Sequence, residues 1–283
     1  YANIIRNSRV ANTFSQLGYD TNYTSGWWEI TQSLNNAQPI YTPYEVVVFG
    51  KSYILSEYQK AILNRSFFLS FAQKGIVLAG KTIFQINIVG DDRDLFLRQH
   101  ENLKIFAAEK RDKPQFVFGH ILNPHPPYLF TPDGNAVGYD PGDNDGGLPR
   151  RDKMINQLRY TNTQILQLIR DIKASSKTEP IIILQADECP YPLEMPADWS
   201  KVEPDVIRSK MGVLAAYSMP SVDESKQAEL NANVNAFRFV LNNYFDAQLE
   251  YLPDCQYVLN NDAPFDYIDV TAKVKPDAAE CRR

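Results

Sequence analysis

Gln115-Phe-Val-Phe-Gly-His-Ile-Leu122, running straight into Asn123-Pro-His-Pro-Pro127, is the stretch that decides the fold. Its first part is rich in β-branched and aromatic side chains and short enough for a buried strand. The prolines that follow cannot join a central ladder, so the strand ends abruptly. A second unit of the same kind reads Pro180-Ile-Ile-Ile-Leu184, ending in Gln185-Ala-Asp-Glu-Cys-Pro190.

Helical patterns surround these strands. Between them lies the clearest helix, Arg151 to Lys173, with Leu158, Ile165, Leu166, Leu168, Ile169 and Ile172 on one face. A helical pattern from Arg93 to Glu109 precedes the first strand, and Glu57 to Phe71 reads as another helix. At the start, Ile4, Ile5, Val10, Ala11, Phe14 and Leu17 predict a helix over Asn3 to Leu17, stopped by Gly18. Tyr19 to Ser25 then alternates as a short strand, followed by a Gly26-Trp27-Trp28-Glu29 loop. Thr131 to Pro149 is glycine-rich and reads as a long loop. Leu214-Ala-Ala-Tyr217 suits a short strand, and Asn231 to Tyr244 suits a helix.

Helices alternating with buried strands predict an α/β fold with a mostly parallel central sheet sandwiched by helices. The expectation is one domain over residues 1–271 and a frayed polar tail over 272–283. In open α/β sheets the ligand crevice lies beyond the carboxyl ends of the strands. Asn123–Pro127 and Asp187–Pro190 both fall there.

Composition narrows the function. The 283 residues are 44% hydrophobic and 22% charged, which excludes a disordered or collagen-like chain. A net charge of −5 argues against a nucleic-acid scaffold, which needs a basic face. No run approaches the length of a membrane-spanning helix, the nearest being Phe67 to Val89, interrupted by Lys74, Gly75, Gly80 and Lys81. The three cysteines, Cys189, Cys255 and Cys281, form no CxxC pair and allow at most one bridge. With only three histidines, any metal site must lean on carboxylates.

Asp187 and Glu188 stand side by side at a strand end, oxygen donors of the kind hard cations take; the alternative is a loop whose acids face water. His125 is flanked by prolines that restrict where its imidazole points, so it suits an oxyanion donor or general acid, or else a rigid exposed turn. His120, read inside the strand, is a core histidine or a substrate contact. Trp27 and Trp28 either wall a pocket or pack. Thr24, Ser25 and Thr31 are nucleophiles by type, with no base beside them in sequence. No Walker A or Rossmann glycine pattern is present.

The string Lys113-Pro-Gln-Phe-Val-Phe-Gly-His-Ile-Leu-Asn-Pro-His-Pro-Pro-Tyr-Leu-Phe130, followed by Asp133-Gly134, resembles the sulfatase-like proteins of the alkaline phosphatase superfamily. It is most similar to the bacterial membrane-anchored branch related to lipoteichoic acid synthase. Arg159-Tyr-Thr-Asn162, the strand running into Asp187, Val234-Asn-Ala-Phe-Arg238, Tyr244-Phe245, Leu252-Pro-Asp254 and Asp269-Val-Thr271 match in the same order. Upstream, Asn7 to Trp27 also fits.

The resemblance implies metal-assisted hydrolysis or transfer at phosphate or sulfate esters, on the extracytoplasmic face of a bacterial membrane. It implies a divalent cation (Mn, Mg or Ca) with Asp187 and Glu188 as ligands. His125 would be a catalytic contact to substrate or leaving group, and His120 and Trp27 substrate contacts. An anionic ester, or a glycan or lipid headgroup, would be the partner. Two departures stand out: Glu188 and Cys189 occupy places where the family has His and Gly, and the family's nucleophile precedes the segment matching Asn3 to Trp27. The chain is therefore expected to lack its nucleophile and membrane anchor. The alternative alignment puts Thr24 or Thr31 at the nucleophile, with Leu34-Asn35 after it. A degenerate, non-catalytic binder is the other reading.

Overall fold

A computed structural model describes residues 2–24, 92–137, 148–187, 196–227 and 232–275, five strand backbones between residues 38 and 85, and a few single residues, among them Gly26, Thr31 and Cys189. It falls into two compact units, residues 1–145 with 152–176, and residues 146–151 with 177–283.

The first unit opens with two helices where the spacing predicts one. Helix α1 (Ala2–Arg6) stops because Ser8 leaves helical geometry, and its side chain accepts from the Ala11 amide at 3.3 Å, capping α2 (Arg9–Gln16). Helix α2 ends before Gly18, whose φ is 89°. Strand β1 (Asp20–Thr24) follows and is central in its sheet. It pairs in parallel with β2 (Gln38–Pro39) on one side and β7 (Gln115–Gly119) on the other, from Asp20↔Gln115 to Thr24↔Gly119. A central strand buries both faces, so Asn22, Tyr23 and Thr24 are all buried. Asn22 is satisfied by donating to Gln115 Oε1 at 2.8 Å, and Gln115 donates to Phe106 O at 3.0 Å.

Helices cover this sheet. Phe14 of α2 stacks on Phe116 at 4.8 Å. Helix α3 (Asp92–Ala108) supplies buried Leu95, Phe96 and Phe106. Helix α4 (Leu148–Ser175) begins three residues earlier than the periodicity suggests, with Pro149 in the first turn where a missing N–H costs nothing. Strands β3 (Glu45–Val48), β4 (Lys51–Ile54), β5 (Ile76–Leu78) and β6 (Lys81–Gln85) make a separate antiparallel sheet, order β4-β3-β6-β5, that the sequence did not announce.

In the second unit β8 (Ile182–Gln185) pairs antiparallel with β9 (Ala215–Ser218). Helix α5 (Pro204–Met211) buries Ile207 against Trp199, Val258 and Val270. Short α6 (Glu224–Gln227) and α7 (Ala236–Phe245) follow, the latter entered through a 3-10 turn at Asn233–Asn235. Strands β10 (Tyr257–Asn260) and β11 (Ala263–Asp269) form a hairpin closed by α8 (Thr271–Val274).

Three expectations change. The described strands form four separate sheets, of which only β2-β1-β7 is parallel, so helix–strand alternation identified the α/β class and not one continuous parallel sheet. Strand β7 ends at Gly119, earlier than Leu122, because Gln99 Nε2 takes the His120 carbonyl at 2.6 Å and the chain turns toward Pro124. The tail is not frayed from Ala272: Thr271 is buried, its hydroxyl accepts from the Gln256 amide at 2.8 Å, and Lys275 is ion-paired with Asp254. The helix expected over Glu57–Phe71 lies outside the described residues. No described helix is long and apolar enough to cross a membrane.

Candidate functional site

The carboxyl ends of β1 and β7 carry the polar residues of the first unit. Thr24, last in β1, is fully buried, and its hydroxyl has no hydrogen-bond partner among the described residues. His120 comes one residue after β7. Its Nδ1 lies 2.7 Å from Oγ1 of Thr31, which is 5% exposed. Gln99, fully inside on α3, fixes the backbone of the same histidine from below the loop. Gly26 packs so closely that a Cβ there would come within 3.3 Å of His120 O and 3.2 Å of Leu122 Cδ1. A side chain there would press on the His120 backbone and on Leu122 by a few tenths of an ångström, while the ring itself would stay at ordinary contact.

Burial pushes the phenol of Tyr23 well above its usual range, with the Thr31 side chain and the Gly26 backbone pulling the other way. Tyr23 therefore stays neutral and acts only as a wall or donor. The Thr31–His120 pair has two chemical uses, set by the tautomer. With its proton on Nε2, the imidazole accepts from the threonine hydroxyl and makes that oxygen a better nucleophile. With its proton on Nδ1, the ring donates to Thr31 and Nε2 becomes the basic atom.

His125 sits on the proline loop and is exposed. Its amide donates to Leu122 O at 2.8 Å, and its Nδ1 lies 2.6 Å from Pro126 O. Beside it a small pocket is lined by Gln99, Leu122, Asn123, His125 and Pro127 together with Phe96 of α3. His120 and His125 thus belong to one loop system braced by α3. Trp27 and Glu188 lie outside the described residues.

Asp187 belongs to the second unit and is described there by itself. It follows β8, is exposed, and comes after Ala186, whose amide donates to Leu214 O at 2.9 Å. Lys210 of α5 reaches the Cys189 carbonyl at 3.0 Å, tying down the chain just past the acidic pair. Among the described residues no three His, Cys, Asp or Glu side chains gather closely enough to hold a metal ion. Among the described residues, Asp187 and Cys189 by themselves are not a complete donor set for a hard cation. Of the cysteines, Cys189 is free and Cys255 is in a disulfide.

Sequence reasoning singled out His120 and Thr31 separately and missed their contact, which spans 89 positions. It also missed Gln99 and Gln157. Their signal is a glutamine on the buried stripe of a helix, where an apolar residue is the rule.

No curated protein and no solved structure matches the chain. The model of the Sulfatase family does, over residues 5–213. That segment holds Thr31, His120, His125 and Asp187 and stops short of the β10–β11 hairpin. A match of this extent, running through the first unit and into the second, makes the chain a member of the Sulfatase family, whose members generally use a divalent metal.

Proposed function

We propose that the chain is the sulfatase-like part of a hydrolase or transferase that acts on phosphate or sulfate esters with a divalent cation, in the branch related to lipoteichoic acid synthase. The observation that carries the reading is the meeting of Thr31 and His120 beyond the carboxyl ends of two parallel strands, inside the family segment. That position is where open α/β sheets bind ligands. On this reading His125 contacts the substrate or its leaving group, and His120 and Trp27 contact the substrate. Asp187 and Glu188 are cation ligands for Mn, Mg or Ca. The sulfatase-like α/β domain is taken to cover residues 1–271.

The substrate is an anionic ester on a glycan or lipid headgroup, and nucleic acid is not a partner. The site of action is the extracytoplasmic face of a bacterial membrane. The Cys255 disulfide supports that compartment, since such bonds persist where the surroundings are oxidising.

One observation favours a second reading, a non-catalytic binder of the same anionic ligands. Glu188 and Cys189 stand where the family has His and Gly. Thermal unfolding with and without Mn, Mg or Ca, combined with aryl phosphate and aryl sulfate turnover, separates the two. A melting point raised by metal in the wild type but not in Asp187→Ala, with ester turnover, is the expected result. A metal response without turnover establishes the binder. No response in the wild type removes Asp187 from a metal site.

A further inference from the structure

Gln157 lies on α4 in register with buried Thr161 and Leu168, and it is itself fully buried. Every hydrogen bond of its side chain goes to the proline loop. Its Oε1 accepts from the Leu129 amide at 2.7 Å. Its Nε2 donates toward three carbonyls, Pro124 O at 3.4 Å, His125 O at 3.2 Å and Pro127 O at 3.3 Å.

The loop needs such an outside donor. Pro124, Pro126 and Pro127 have no N–H, so the segment cannot satisfy its own carbonyls by a regular ladder. One buried amide group converges on the carbonyls that flank the Pro126 peptide. The Pro126 carbonyl in turn lies 2.6 Å from His125 Nδ1. A carbonyl is only an acceptor, so this contact requires the proton to be on Nδ1. Nε2 is then the acceptor nitrogen of the neutral ring.

We propose that Gln157 is a positioning residue for His125: by holding the carbonyls on either side of Pro126 it keeps the Pro126 carbonyl against His125 Nδ1 and so fixes the tautomer with which His125 meets an anionic ester. This deepens the ester-site reading of His125 and rests on it. Gln157 touches no substrate. Its effect passes through the loop backbone.

The chain has only three histidines, so one long-range proton–nitrogen spectrum of the imidazoles reads His125 against His100 and His120 as internal controls. Gln157→Met keeps length and volume and removes all four bonds. The expected result is a His125 spectrum moving from a single Nδ1–H tautomer to a mixture while His100 and His120 keep theirs. Affinity for inorganic phosphate, titrated on the same signals, should fall about tenfold, the worth of a hydrogen bond or two. A His125 spectrum unchanged in Gln157→Met overturns the proposal. So does an equal shift of all three histidines, which would make Gln157 a core support only. Should that variant not fold, Gln157→Glu decides by the same spectra, since it keeps an acceptor for Leu129 and turns oxygen toward the three carbonyls. A wild-type His125 signal that ignores both phosphate and sulfate would sink the ester-site reading, while the tautomer comparison would still judge the clamp.

Discussion

The Thr31 hydroxyl and the His120 imidazole are 2.7 Å apart at the carboxyl end of the β1–β7 pair, and Gln99 pins the His120 carbonyl at 2.6 Å. The ring is therefore braced at its side chain and at its backbone, as a group held for chemistry needs to be. If the pair serves ester chemistry, Thr31→Val should keep the fold and lower kcat/KM for an aryl phosphate by about tenfold where Thr31 only orients His120, and by orders of magnitude more where its hydroxyl is the nucleophile. His120→Ala should cost on the order of 10²–10⁴-fold, the range for a positioned acid or base. Steady-state kinetics beside melting curves checks both. Wild-type turnover in Thr31→Val would reduce the contact to packing.

Gly134 gives a prediction about stability alone. Its φ is 82°, and a Cβ there would sit 2.4 Å from Cε2 of Tyr160. Tyr160 stacks on Phe130 at 4.6 Å, and Arg93 lies over Phe130 while donating to the Gly134 carbonyl at 3.4 Å. The aromatic ring thus has nowhere to retreat. Gly134→Ala should destabilise by about 1–3 kcal/mol, through overpacking and an unfavourable backbone region. Chemical denaturation measures it, and a loss under about 0.5 kcal/mol, the size of an ordinary surface change, would refute the packing account.

What the sequence made legible follows from the range of the interactions. Local patterns carried the first strand, the long helix α4 and the stop at Gly18, because apolar periodicity and chain punctuation are written within a few residues. The break at Ser8 was also local, yet a continuous apolar stripe masked one capping serine. Pairing was not legible: nothing within Ile181–Leu184 says that β8 takes an antiparallel partner, since a wholly apolar run suits either direction. The candidate site was half legible. Proline-flanked His125 announces itself, whereas Thr31 acquires a base only when two strand ends are brought together, and Gln157 matters only because a distant loop lacks amide protons.

His100 should make the first unit sensitive to acid. It is 4% exposed on α3, with Nδ1 2.8 Å from Phe96 O and no partner for Nε2 among the described residues. Burial lowers its pKa; the Phe96 carbonyl opposes this and the charge of Lys104 adds to it. In the unfolded chain the ring titrates near 6.5. The unfolded state therefore binds the proton first as pH falls. The stability that His100 contributes is complete above about pH 6.5 and is lost as pH drops through its lower folded value. The melting temperature should fall between pH 7 and pH 5, and His100→Leu should flatten that limb. An equally steep fall in the variant would place the acid sensitivity elsewhere.

The disulfide at Cys255 should be the principal covalent support of the second unit. Its neighbours are already tied to α8, since Val270 donates to Gln256 O at 2.9 Å and Asp254 pairs with Lys275. A crosslink stabilises mainly by restricting the unfolded chain, and losing one costs about 2–4 kcal/mol. Alkylation of the denatured protein without reductant should modify Cys189 and spare Cys255. Reductant, or Cys255→Ser, should lower the melting temperature. The same reductant should leave the His120 and His125 imidazole signals in place, because both histidines lie in the first unit with its own core. Modification of Cys255 before reduction would show that the bond does not form, and the argument for an oxidising compartment would go with it.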